Sequence, residues 1–260
     1  MSLEWIGDGK TTRGVTERRF DLERAGRTIP GVLWEPEDRT ADTPLVLLGH
    51  GGSGHKRQDY LLAVARQLVR HHGCAAAAID GPVHGDRRAD GPGDGTAEMV
   101  EFSRLWRDDP TMTDAMVADW RGTLDALQAP EVLGTGPVGW WGLSMGTILG
   151  LPVVAAEPRI VVAVLGLMGL TGPSKDRLRA DAAAVTCPLL FLVQWDDELF
   201  ARARAFDLFT EFASTDKRLH AHPGGHVQVP AEEFRGSVAF LAKYLRVGDT
   251  ARPHASSASG

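Results

Sequence analysis

Cysteine is scarce in this sequence. Cys74 and Cys187 are the only two in 260 residues, and both lie in or beside apolar runs. Two thiols do not make the disulfide framework that holds small secreted domains together, so they read as buried free thiols. Long hydrophobic runs are lacking too. None reaches the roughly 18 residues needed to cross a bilayer, and no membrane partner is expected. The first residues, MSLEWIGDGK, lack the basic-then-apolar order of a signal peptide. Basic charge is in deficit: the net charge is −6, whereas a nucleic-acid partner requires a clustered basic surface. These deficits predict a cytoplasmic globular protein with no nucleic-acid or membrane partner. They leave oligomeric state open, a homodimer included.

What is present is ordinary in amount and specific in order. Hydrophobic residues make up 43% and charged residues 24%, enough for one large α/β domain. GVTERRFDL and RTIPGVLWEP read as two β-like stretches joined by Glu23-Arg24-Ala25-Gly26, a hairpin-type connection. After them, short apolar runs alternate with amphipathic ones. Leu45–Leu48, CAAAAID, GPVGWWGL, IVVAVLGLM and CPLLFLVQW read as strands buried on both faces. DYLLAVARQLVRHHG, TMTDAMVADWRGTLDALQA, MGTILGLPVVAAE, FARARAFDLFTEFAS and AEEFRGSVAFLAKYLRV read as helices. The alternation predicts an α/β fold: a doubly wound, mostly parallel sheet behind an N-terminal antiparallel pair. It is expected to form one domain over residues 1–246. Segments at about 86–110 and 166–185 break the alternation and are expected to form a small lid. Residues 247–260 are small and polar and are expected to be disordered.

Within WWGLSMGTILG, the segment Gly142-Leu143-Ser144-Met145-Gly146 matches G-x-S-x-G. It falls between a predicted strand and a predicted helix, where the pattern has a mechanical meaning. The turn is so tight that the serine takes strained backbone angles, and glycines two residues away on each side remove side chains that would collide. The strain lifts the hydroxyl clear of the backbone. The competing reading, a serine that only caps the helix, does not need the two glycines.

A serine hydroxyl is a poor nucleophile at neutral pH and needs a base. Of nine histidines, His226 in HPGGHVQVP combines a glycine-preceded loop with a position between the last predicted strand and the last helix. The base needs an acid to hold its tautomer. FLVQWDDELF supplies Asp196 and Asp197 at a strand end; Asp197 is chosen and Asp196 is the alternative. The order Ser144, Asp197, His226 is that of α/β-hydrolases. Two backbone N–H groups should meet the charge that develops on oxygen. Met145, directly after the serine, would give one. The loop GHGGSGH, with four glycines from Gly49 to Gly54, would give the other from Gly52, or from Gly51. Glycine-rich turns also bind phosphate, but G-K-[ST] and G-x-G-x-x-G are both missing here.

HGGSG, GLSMG, WDDEL and GGH, taken in this order, resemble the α/β-hydrolase superfamily, and within it the dienelactone-hydrolase-like or esterase group. The resemblance covers roughly residues 28 to 246. In that group the acid usually lies three residues after a glycine; Gln194 holds the glycine's place and Asp197 the acid's. Dienelactone hydrolases typically use a cysteine nucleophile, so Ser144 implies ester cleavage instead. DGPVHGDR resembles a D-x-P-x-H-G loop that helps shape the site in related hydrolases, which implies a substrate-side place for His84. Trp195, beside the acid, and Trp106, in the first lid segment, are candidates to line the pocket. Asp80, His84 and Asp86 form a metal-like spacing, but a spacing within one loop proves little and structural hydrogen bonding is the preferred reading. No cofactor and no metal are assigned.

The resulting expectation is a serine hydrolase that cleaves carboxylic esters of small to medium size through an acyl-enzyme. Amide, peptide or thioester cleavage would use the same three residues. A non-catalytic binding protein on this fold is the alternative of a different class.

Overall fold

The structure, a computed structural model, describes residues 2–88, 90–91 and 93–245. The chain opens with three antiparallel strands, β1 (Ser2–Thr12), β2 (Val15–Arg24) and β3 (Arg27–Pro36). Ala25 and Gly26 join β2 to β3 with φ of 50° and 72°. Two successive positive φ values give a turn whose twist matches that of the strands it joins. Arg13 and Gly14 join β1 to β2 in the same way, with φ of 52° and 75°. The sequence predicts the β2–β3 pair but not β1. The reason is physical: β1 is the sheet edge, its residues are mostly exposed, and a register shift between Ile6 and Lys10 breaks its alternation.

From there strands and helices alternate. The order is β4 (Leu45–Gly49), α1 (Asp59–His72), β5 (Ala75–Ile79), α2 (Thr96–Asp108), α3 (Met112–Leu127) and β6 (Val138–Gly142), then α4 (Met145–Ala156), β7 (Ile160–Gly166), α5 (Lys175–Ala184), β8 (Leu189–Gln194), α6 (Arg202–Glu211), β9 (Lys217–His222) and α7 (Ala231–Leu245). They build one nine-stranded sheet in the order β1-β2-β3-β5-β4-β6-β7-β8-β9. The strands from β5 to β9 in that order pair in parallel, and β3 joins β5 antiparallel.

The parallel strands are apolar throughout because both of their faces are covered. Alternate residues supply opposite cores. Leu45, Leu47 and Trp140 pack into a cluster with α3, α4, α5 and α6. Val46, Leu48 and Trp141 pack into a second cluster with α1 and α7. The layered α/β architecture expected from the sequence is the one observed. The segments expected as a lid carry α2 and α5. The tail expected over 247–260 lies outside the described residues, among which no helix is long and apolar enough to cross a membrane. Parallel pairing brings the carboxyl ends of β4, β5, β6 and β8 to one edge of the sheet, where such folds place their sites.

Candidate active site

The turn between β6 and α4 carries Ser144 with φ 58° and ψ −119°, a region that a side chain with a Cβ rarely enters and that costs of order 1–3 kcal/mol. Its neighbours hold it there. The Ser144 N–H donates to the Gly166 carbonyl at 3.0 Å. The Thr147 hydroxyl donates toward the carbonyls of Gly142 (2.9 Å) and Gly166 (2.7 Å). The flanking glycines are required by contact: a Cβ on Gly142 would lie 2.6 Å from the Gly146 carbonyl oxygen, and one on Gly146 would lie 2.5 Å from that of Gly49.

The loop after β9 brings His226 to this serine. Nε2 of His226 lies 2.9 Å from Ser144 Oγ, and Nδ1 lies 2.8 Å from Asp197 Oδ2. With the proton on Nδ1 donated to Asp197, Nε2 is left to accept from the serine hydroxyl. Both His226 and Asp197 are buried. Burial alone would raise the Asp197 pKa, but the hydrogen bond from His226 and the N–H groups of Phe200 and Leu199 outweigh it and hold the carboxyl below its ordinary value. Those two amides meet Asp197 Oδ1 at 2.9 and 2.8 Å. Asp196 is turned elsewhere, accepting the Gly224 N–H at 3.3 Å. The structure therefore places Asp197 against the imidazole and leaves Asp196 off it.

Two residues that the sequence reading did not assign fix the His226 loop. Glu198 Oε2 accepts the His226 N–H at 2.9 Å. The buried Gln194 amide, standing where the resembling group has glycine, donates to the Gly225 carbonyl at 3.2 Å. Backbone pairing continues past the strand ends, with Trp195 N–H to the His222 carbonyl at 2.7 Å and Asp196 N–H to that of Gly224 at 3.1 Å. The acid-bearing and base-bearing loops thus form one continuous edge.

Across the serine lies the loop after β4. Gly52 is favoured on sequence with Gly51 as the alternative, and their N–H groups differ in the structure. The Gly51 N–H is taken by the Tyr60 hydroxyl at 2.6 Å. The Gly52 and Met145 N–H groups have no hydrogen-bond partner among the described residues. His50 sets the direction of the Gly52 N–H: its Nδ1–H donates to the Gly51 carbonyl at 2.8 Å, while its Nε2 accepts the Gly81 N–H at 2.8 Å. Tying that carbonyl back turns the N–H on the other side of the same planar peptide, that of Gly52, the opposite way. Burial, with His84 beside it, pushes the His50 pKa down to about 3, so the ring is neutral and able to accept on one side and donate on the other. His84, expected on the substrate side, is fully buried and donates Nε2–H to the Gly52 carbonyl at 2.8 Å; it braces the loop from behind.

Asp80, His84 and Asp86 do not converge as ligands, and no cluster of metal-ligating side chains occurs among the described residues. Asp80 and Asp86 both bind the Lys56 ammonium, the latter at 2.7 Å, and Asp80 also accepts the Lys56 N–H at 2.9 Å. This ties the β4 loop to the β5 loop. Trp106 donates to Ser174 Oγ at 2.8 Å and stacks on Phe102, linking the two segments expected as a lid. Trp195 is half-exposed, with the Arg202 guanidinium 4.5 Å over its ring.

No family model matches the chain, and none of the curated proteins does. Solved structures do. A cold-adapted esterase from an Arctic intertidal metagenomic library, in its PEG-bound complex, is 44% identical, with a TM-score of 0.84 over 94% of this chain and 100% of that one. The native structure of such an esterase aligns at 41% identity and a TM-score of 0.78, with the same coverage. A dienelactone hydrolase from Anabaena variabilis shares the fold at 19% identity, with a TM-score of 0.65 over 89% of this chain and 97% of that one.

Proposed function

Because the chain belongs with the esterases of the α/β-hydrolase fold, we propose that it hydrolyses carboxylic esters of small to medium size with Ser144 as nucleophile. Ser144 Oγ attacks the ester carbonyl carbon while its proton passes to His226 Nε2. Asp197 holds Nδ1–H and stabilises the imidazolium. The negative charge that forms on the carbonyl oxygen faces the free N–H groups of Gly52 and Met145. The C–O bond to the alcohol then breaks, and His226 returns the proton to the leaving oxygen. Water repeats the sequence on the acyl-enzyme, releasing the carboxylic acid and restoring Ser144.

The observation that carries this reading is the unbroken relay of 2.9 and 2.8 Å from Ser144 through His226 to Asp197. The free thiols of Cys74 and Cys187 support a reducing, cytoplasmic setting. The net charge of −6 supports a small ester, not a nucleic acid, as partner. The test is p-nitrophenyl acetate hydrolysis and fluorophosphonate labelling of the wild type and Ser144→Ala. Loss of the label and of turnover by a factor on the order of 10⁶ is expected, as when a serine nucleophile is removed elsewhere. Full hydrolysis by the variant overturns the assignment. A faster rate on the matching p-nitroanilide than on the ester would move the enzyme to amide cleavage.

A further inference from the structure

One apolar side chain beside the candidate oxyanion site has no part in the relay. A methyl group placed on the Cα of Gly52 would touch Met99 Cγ at 3.7 Å and Met145 Cβ at 3.9 Å. Met99 therefore borders the very peptide that faces the developing charge. It belongs to α2, and the start of that helix is fixed against the β4 loop. Gly95, with φ 84°, approaches so closely that a Cβ there would lie 2.7 Å from the Ser53 carbonyl oxygen. The buried Glu98 carboxylate accepts the N–H groups of Gly93 and Gly95, the latter at 3.0 Å. Met99 is 41% exposed, large and apolar, on a helix start that its neighbours hold in place.

The chemistry divides the space around the ester carbon. His226 must reach the leaving oxygen, so the alcohol lies on the His226 side. There the Phe200 ring sits 5.6 Å from the imidazole, and Leu199 and Val227 are exposed. The carbonyl oxygen lies against Gly52 and Met145. The acyl substituent takes a direction that these two leave free, and Met99 and Met145, which both border Gly52, are apolar side chains next to the carbonyl oxygen's place.

We propose that Met99 sets the length of the acyl group, making this enzyme selective for short-chain acyl esters. The proposal rests on the serine-hydrolase reading above and names the substrate class of that site. A methionine fits this role because its unbranched thioether fills space closely beside a small acyl group and collides with a long one.

The test is kcat/KM for p-nitrophenyl acetate, butyrate and octanoate with the wild type, Met99→Ala, Met99→Phe and Met99→Leu. One methylene in an apolar pocket shifts selectivity by about tenfold or more. The octanoate-to-acetate ratio should therefore rise at least tenfold in Met99→Ala, fall in Met99→Phe and stay within about twofold in Met99→Leu. A second series varies the alcohol, with phenyl and 2-naphthyl acetates, and its ratio should not move in Met99→Ala. The proposal is overturned if the acyl ratio is unchanged in both the alanine and phenylalanine variants, or if only the alcohol ratio responds. Failure of the serine reading shows separately, as undiminished hydrolysis by Ser144→Ala whatever stands at position 99.

Discussion

The Nδ1–H of His50 lies 2.8 Å from the carbonyl oxygen of Gly51, and this bond decides which way the Gly51–Gly52 peptide faces. His50 touches no substrate in the proposed mechanism, so it is a positioning residue. Replacing it with leucine frees the peptide to turn. Removal of one oxyanion donor costs about 3–4 kcal/mol at the transition state, so kcat in His50→Leu should fall by on the order of 10²-fold with KM little changed. An unchanged kcat would mean that Gly52 is held by other means.

The same ring predicts a pH dependence of stability. Its pKa is about 3 when folded, because burial and then His84 disfavour the charged form, against about 6.5 in an unfolded chain. Between those values the unfolded chain carries a proton that the folded one does not, so stability rises with pH and is fully present above about 6.5. It is lost as pH falls through the window, by up to roughly 4–5 kcal/mol at the acid end. His84 is shifted the same way by its own burial. Melting temperature should drop from pH 7 to pH 4, and His50→Leu should flatten that slope; equal slopes in both proteins would contradict it.

Asp197 and Asp196 are adjacent in sequence and opposite in consequence. Asp197→Asn keeps the shape but loses the acceptor for His226 Nδ1–H, which favours the wrong tautomer. A loss of about 10⁴-fold in kcat is the precedent for such a change. Asp196→Asn removes an exposed contact to Gly224 and should leave kcat within about threefold, since such surface substitutions are usually small in energy. Steady-state kinetics on a single ester distinguishes the two, and comparable losses in both would argue against the assignment.

Gly146→Ala places a methyl group 2.5 Å from the Gly49 carbonyl oxygen. The contact is a Cβ against a backbone carbonyl and cannot relax by a rotamer change. Overpacking of this kind costs typically 1–3 kcal/mol or more, and here it also shifts the strand end next to Ser144. Denaturant unfolding should show that loss together with a collapse of kcat. Gly51→Ala, whose new methyl meets only the Tyr60 hydroxyl at 3.5 Å, is the milder control.

Lys56 is buried between Asp80 and Asp86, with 4% of its side chain exposed. Removing one partner of a buried ion pair costs about 3–5 kcal/mol, because the other charge is left uncompensated. Lys56→Met should lose that much in chemical denaturation. Adding Asp80→Asn should recover part of it, since the stranded charge is then gone. A double variant whose loss equals the sum of the two single losses would show that the pair is not coupled.

Much of the fold was legible because periodicity reports burial directly. Leu45–Leu48 and CAAAAID are apolar at every position since both faces of a parallel strand are covered, and they read as strands without further help. β1 was not legible, since an exposed edge strand with a register shift carries no such pattern. The nucleophile position was legible in G-x-S-x-G because the crowding at Gly142 and Gly146 is local and leaves a mark in neighbouring residues. Met99, Glu198 and Tyr60 left none. Each acts on a residue that folding alone brings near, and their residue types are common in any loop or helix.

The sequence by itself determined the order of strands and helices, the tight turn at Ser144 and a short set of partners for it, because these depend on residues within a few positions of one another. It preferred Asp197 to Asp196 and Gly52 to Gly51, but only the tertiary structure gives the contacts that distinguish the members of each pair. Those choices turn on which carboxylate faces His226 and which N–H Tyr60 already occupies. The first is a hydrogen bond between residues 29 apart and the second one between residues 9 apart; the direction of each is set by how the loops pack at the sheet edge, and no local pattern encodes it.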